Sequence, residues 1–119
     1  MADHSKIDNC VFCSIIKGNI KSEKVYEDNS FVGILDIHPR TENHILLLPK
    51  RHFRNILDLP TTLGNELIQA IKRISLQLIS EGKAEGINVL INNEPAAGQV
   101  VFHTHIHIIP RRKGDDLKI

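Results

Sequence analysis

The sequence predicts an α+β chain: a five-stranded, mostly antiparallel sheet with one long helix and a short N-terminal helix. Three observations carry this reading. Only one segment sustains helical periodicity, with Leu63, Leu67, Ile71, Ile74 and Leu78 recurring at steps of three and four between Pro60 and Gly82. Five short apolar runs bounded by turn residues lie on either side of it. Their order is short helix, three strands, long helix, two strands. That order favours hairpin connections over helical crossovers and argues against a doubly wound parallel sheet.

Residues 1–9 read as a polar tail on a single domain spanning 1–119. Residues 11–17 form a short apolar helix that Gly18 ends as a left-handed C′ residue. Lys24–Glu27 and Phe31–Leu35 are strands, with Asp28 and Asn29 turning between them. Residues 36–43 are a loop, because Pro39 biases His38 away from helix. Residues 44–48 make a third strand, stopped at Pro49. Thr61 or Thr62 caps the long helix and Gly82 closes it. Residues 87–92 are the fourth strand, 93–99 a loop carrying Pro95 and Gly98, and 100–109 a fifth strand ended by Pro110. A five-stranded sheet has open edges, and an edge invites pairing with a second copy, so a homodimer is expected.

Composition narrows the function classes. A chain of 119 residues with 41% hydrophobic content can bury one core and is not disordered. The net charge of +1 gives no electrostatic footprint for duplex DNA or an anionic membrane. Aromatic residues are 4%, which leaves few platforms for stacking single-stranded bases. No apolar run approaches the ~20 residues of a membrane span. The polar start, MADHSKIDNC, lacks the apolar core of a signal peptide, so a cytoplasmic location is expected. Nothing resembles a Walker loop or a magnesium carboxylate cluster.

Seven histidines are present, and three fall within five residues, in Phe102-His103-Thr104-His105-Ile106-His107-Ile108. On a strand, alternation places His103, His105 and His107 on one face. Phe102, Thr104, Ile106 and Ile108 take the other, which should pack on the long helix. Three uses of such a face are open: a polar solvent surface, a metal site, or nucleophilic chemistry. Alternate residues on one face lie ~6.8 Å apart at Cα, so two imidazoles can converge on one ion. His103 and His107 are ~13.5 Å apart by the same rise, too far for all three to share it comfortably. At least one is left for other work. A neutral imidazole nitrogen can attack phosphorus while a second ring hydrogen-bonds the substrate or protonates the leaving group. Separately, Cys10 and Cys13 stand at the C-x2-C spacing of a metal knuckle. A redox pair and two buried free thiols are the rival readings, and two cysteines are too few for a disulfide scaffold.

The His-x-His-x-His run from His103 to His107, followed by Ile108 and Ile109, resembles the signature of the histidine triad (HIT) family. The resemblance extends along most of the chain. It takes in Cys10 to Gly18 as the opening helix, Asp36-Ile37 as a ribose-binding turn and His44 to His52 as the strand before the long helix. Asn92-Asn93 through Gly98-Gln99 matches the phosphate loop. It implies a HIT-like fold and a hydrolase acting at the α-phosphate of a purine nucleotide, either a phosphoramidate or a dinucleoside polyphosphate. By that likeness His105 is the nucleophile that forms a nucleotidyl-histidine, His107 bonds a phosphate oxygen near the scissile bond, and His44 supports the triad. Asn93, Gly98 and Gln99 are implied at the phosphates, Asp36 at the ribose hydroxyls, and Phe12, Ile15 and Ile37 around the base. The likeness also supplies two further zinc ligands, His52 and His103, to complete a structural site with Cys10 and Cys13. No organic cofactor is implied. Histidine rather than glutamine at 107 favours hydrolysis over transfer to a second sugar phosphate. The chain departs from the family pattern at Val100, where a serine or threonine hydroxyl is usual, and at Thr41-Glu42-Asn43, where Pro-Gly is common. The missing hydroxyl keeps a second reading open, a low-turnover nucleotide sensor or scaffold. A DNA-end-processing role is disfavoured for want of a basic extension.

Overall fold

A computed structural model describes residues 10–119; the polar tail read for 1–9 lies outside them. The chain forms helix α1 (Val11–Ile16), strands β1 (Lys24–Glu27), β2 (Phe31–Leu35) and β3 (Ile45–Pro49), helix α2 (Gly64–Ser80), and strands β4 (Gly86–Leu90) and β5 (Ile106–Arg111). The strands form one sheet in the order β1-β2-β3-β5-β4, with every neighbouring pair antiparallel. The predicted fold class and strand count are therefore observed.

The two faces of the sheet carry two apolar layers. Phe31, Ile45, Leu47, Ile106 and Ile108 pack with Leu67, Ala70, Ile74 and Leu78 of α2. Val32, Ile34, Leu46 and Leu48 pack with Cys10, Phe12 and Cys13 around α1. β3 is covered on both sides, which is why its residues are apolar without alternation and all buried. Pairing of Leu46 with His107 puts that histidine on the α1 face, opposite the long helix. Ile106 and Ile108 face α2, as the alternation predicts.

Boundaries differ from the sequence reading at the start of the long helix and at both ends of β5, which runs on through Pro110 to Arg111. The long helix has no threonine cap; Pro60 is extended and a 3-10 turn, Thr61–Leu63, leads into α2. Its end is as predicted, with Gly82 at φ 73° and the amides of Gly82 and Lys83 donating back to Ile79 and Leu78. The larger difference is that β5 begins at Ile106, not at residue 100. Two groups divert the chain before that point. Thr104 donates both its amide and its hydroxyl to the Phe53 carbonyl, at 2.7 and 3.0 Å, instead of to a ladder partner. On β3, the Pro49 carbonyl is occupied by the His103 ring, and Pro49 has no amide to extend the ladder. His103 and His105 therefore stand on irregular backbone, and Phe102 turns to the Arg54 guanidinium rather than to α2. Among the described residues no helix is long and apolar enough to cross a membrane.

Leu47 has no exposed surface, whereas Ile37 is 84% exposed. We expect Leu47→Ala to lower the unfolding free energy in urea by about 3 kcal/mol through lost burial and a residual cavity. Ile37→Ala should change it by less than about 0.5 kcal/mol.

Candidate functional site

Three imidazoles meet on the α1 face. The ring centroids of His105 and His107 are 5.3 Å apart, and those of His107 and His44 are 5.2 Å apart. Their hydrogen bonds fix which nitrogens carry protons. His105 Nδ1 lies 2.8 Å from the His103 carbonyl, which can only accept, so Nδ1 holds the proton and Nε2 holds a lone pair. The Arg40 amide donates to His44 Nδ1 at 3.0 Å, so His44 carries its proton on Nε2. That Nε2 lies 3.0 Å from His107 Nδ1 and donates to it, leaving His107 with a proton on Nε2. The relay thus sets a bare nitrogen on His105 beside an N–H on His107. It also decides against a cation among Asp36, His44 and His107, whose ligating atoms cluster but whose His44 Nε2 is protonated.

Burial keeps the rings neutral. Desolvation is the main cause lowering the pKa of His105 and His44, and it takes His107 down to about 4, aided by its histidine neighbours. The Asp36 carboxylate, 3.6 Å from His44 Nε2, opposes the shift without reversing it. Phe12 of α1 packs against this group, its ring edge-on to His105 at 5.1 Å.

The fourth ring, His103, belongs to a second cluster. Its Nε2 donates to the Pro49 carbonyl at 2.9 Å, so the Nδ1 lone pair points the other way. That Nδ1 is 3.4 Å from each of the Cys10 and Cys13 sulfurs and 3.2 Å from His52 Nδ1, which in turn is 3.2 Å from the Cys13 sulfur. Metal bonds of about 2.0–2.3 Å give ligand-to-ligand edges of roughly 3.3–3.8 Å in a tetrahedron, so these four atoms fit one cation. Burial, then the neighbouring Cys10, pushes the Cys13 thiol up to about 12, so a cation must displace its proton on binding. C-x2-C on α1 supplies two donors because Cys10 is also the helix N-cap, its sulfur accepting the Cys13 amide at 3.3 Å.

Comparison with known proteins decides the family. Residues 17–114 match the HIT domain. The chain belongs to the HIT family. It is 40% identical over 110 residues to adenylylsulfatase HINT3 of Arabidopsis thaliana, covering 92% of this chain and 56% of that one. It is 38% identical over 116 residues to adenosine 5'-monophosphoramidase HNT1 of Candida albicans, covering 94% and 74%. A Zn-bound histidine triad family protein from Mycobacterium smegmatis superposes with a TM-score of 0.89 at 39% identity, covering 95% and 82%.

The remaining site residues of this HIT protein are distributed unevenly. Asp36 accepts the His38 amide at 2.9 Å through one oxygen and turns the other toward His44. Ile37 is exposed, and Ile15 lies with Val32 and Ile34 in a cavity of about 150 Å³ beside Lys24 and Lys50. Gly98 adopts φ 93°, a conformation that only glycine takes cheaply. The side chains of Asn93 and Gln99 serve the loop itself. Asn93 Oδ1 accepts the Ile56 amide, and the buried Gln99 amide makes four hydrogen bonds, to Glu94, Asn55, Arg54 and Val101. The Gln99 side chain cannot turn to a phosphate without giving up such a bond, whereas the Asn93 NH2 group makes one bond of 3.4 Å, to the Ile91 carbonyl, and has a second N–H. Sequence reasoning missed Arg54, Asn55 and Glu94; the one available hint was a glutamate directly before Pro95 in a glycine-bearing loop.

Because His107 and His44 are held neutral, the unfolded chain takes up protons near pH 6.5 that the native site refuses until lower pH. The stability they contribute is intact above about pH 6.5 and declines as pH falls toward about 4. Calorimetric Tm values at several pH values between 7.5 and 4 should show this decline, and His107→Gln should flatten it.

Proposed function

We propose that the chain is a hydrolase cleaving a phosphoramidate or phosphoanhydride bond at the α-phosphate of a purine nucleotide. The observation that carries this is the proton placement: a bare His105 Nε2 next to a protonated His107 Nε2. His105 Nε2 attacks the α-phosphorus as the bond to the leaving group breaks, giving a nucleotidyl-histidine and an amine or phosphate. His107 keeps its Nε2 proton and donates it as a hydrogen bond to a phosphate oxygen at the scissile bond, with His44 bonded behind it; a departing phosphate leaves as its anion, and a departing amine takes its proton from solvent. Water then attacks the same phosphorus, the P–N bond to His105 breaks to return the neutral imidazole, and the water's proton leaves to solvent. The His103 carbonyl holds the Nδ1 proton of His105 throughout and stabilises the charge that develops on the ring. The names of the relatives HNT1 and HINT3 support a nucleotide substrate with the bond broken at its phosphate.

In this reading Asp36 accepts from the ribose hydroxyls and the base lies against Phe12, Ile15 and Ile37. Loop 93–99 meets the phosphates, with Gly98 allowing close backbone approach. Cys10, Cys13, His52 and His103 hold zinc, which supplies a structural tie between α1 and the sheet rather than a part in the chemistry. Two chains form a homodimer: the edge strand β4 presents Val89, 47% exposed, and α2 presents Ile68, Leu76 and Ile79, all more than 40% exposed. One observation favours the alternative of a slow nucleotide sensor. Val100, at the end of the phosphate loop, is 81% exposed and offers no hydroxyl.

Rapid quenching with an adenosine phosphoramidate should trap AMP on His105, and His105→Ala should lose at least about a thousandfold in kcat. Because the nucleophile must be neutral and its pKa is lowered, the acid limb of kcat/KM should fall below pH 6.5. Tight AMP binding with negligible turnover of every nucleotide tried would favour the sensor instead. Protein purified without chelator should hold about one zinc per chain, and Cys13→Ser less than about 0.2.

A further inference from the structure

Segment 52–58 and loop 93–99 are joined by contacts that the proposed chemistry does not itself use, and Glu94 is at their centre. Its backbone has φ 77° and ψ 155°, a region open to glycine and costly for any residue with a Cβ. Its side chain is 43% exposed, so burial does not explain a glutamate there. Its carboxylate does. Arg54 donates through Nε to one oxygen at 2.9 Å and through Nη2 to the other at 3.0 Å, a two-pronged pair. Asn55 Nδ2 donates to the first oxygen at 2.6 Å. From the other side, the Glu94 amide donates to Gln99 Oε1 at 2.8 Å, and the Glu94 carbonyl accepts the amides of Ala97 and Gln99.

Arg54 also reaches beyond the loop. Its guanidinium stacks 4.3 Å from the centroid of Phe102, the residue before His103. One arginine therefore grips loop 93–99 at Glu94 and the histidine segment at Phe102. An ion pair this exposed adds little to stability, and the strained backbone subtracts from it. What a glutamate fixes at this position is where the loop sits.

We propose that Glu94 is a positioning residue for the hydrolysis described above, on which this inference rests: clasped by Arg54, it holds loop 93–99 ready for the nucleotide phosphates. A loop ordered in advance leaves less to be ordered on binding. Its contacts act equally on bound substrate and transition state, so its loss moves affinity and KM and leaves kcat nearly unchanged.

The full-length protein tests this in two ways, hydrogen exchange without ligand and calorimetric titration with AMP. In E94G the amides of Ala97, Gly98 and Gln99 should exchange about tenfold faster or more. AMP should bind about tenfold more weakly, with kcat within about threefold of the parent, and Tm should not fall, because glycine relieves the strain. R54K keeps the charge but not the two-pronged geometry and should show part of the same loss. The double variant R54K/E94G keeps a cation for Phe102 and should bind AMP no worse than E94G alone, since both changes break one clasp. Parental exchange and parental AMP affinity in E94G overturn the proposal, as does an R54K effect that adds in full to that of E94G. Should E94G fail to fold, R54K measured in the same way decides. A parent that does not bind AMP sinks the nucleotide reading and this role with it. A parent that binds while its variants are unaltered sinks the clasp alone.

Discussion

The site depends on how His103 is held at both ends. Its ring is fixed by the Pro49 carbonyl on one nitrogen and faces two sulfurs and His52 with the other. Its backbone carbonyl takes the proton of His105 Nδ1. The first contacts aim the residue, and the last sets the tautomer of its neighbour but one. Were the His103 ring to swing free, its carbonyl would have no reason to point where it does, and the lone pair on His105 would no longer be assigned.

Everything larger serves that placement. β3, buried on both faces, is the plane on which two layers meet. α2 covers one side entirely with aliphatic side chains, which leaves the polar chemistry to the α1 side. There the enclosing apolar residues remove water from the imidazoles, so desolvation outweighs the single nearby carboxylate and the rings remain uncharged. Neutrality is the state in which one nitrogen can donate while the other attacks.

The irregular stretches are expensive in a different way, because backbone away from a ladder must find partners. Segment 52–58 supplies them. Its Phe53 carbonyl receives Thr104, its Ile56 amide is received by Asn93, and its buried Asn55 and the loop's buried Gln99 complete each other. The same short segment carries His52 to the cysteines. The cysteine–histidine cluster, the histidine pair and loop 93–99 are thus braced from one place.

The chain's pattern alone determined the fold class, the order of elements, the long helix with its glycine stop, and the apolar face of β5. These follow from periodicity and local backbone preference, which neighbouring residues set among themselves. It also singled out the histidine run at 103–107 and the C-x2-C pair, because such clusters are rare enough to be seen without coordinates, while His44 came only from the resemblance to the HIT family. Strand alternation predicted one face for all three triad histidines. All three do lie on the α1 side, but only His107 stands on the strand: Thr104 and Pro49 pull the chain before Ile106 out of the ladder, and the His103 ring turns to the cysteines. Only the tertiary structure decided which nitrogen carries which proton, that Gln99 and Asn93 spend their side chains on the loop, and that Arg54 reaches Glu94 forty residues away. Those outcomes depend on partners distant in sequence, and no local pattern records the distance between groups that meet only when the chain has folded.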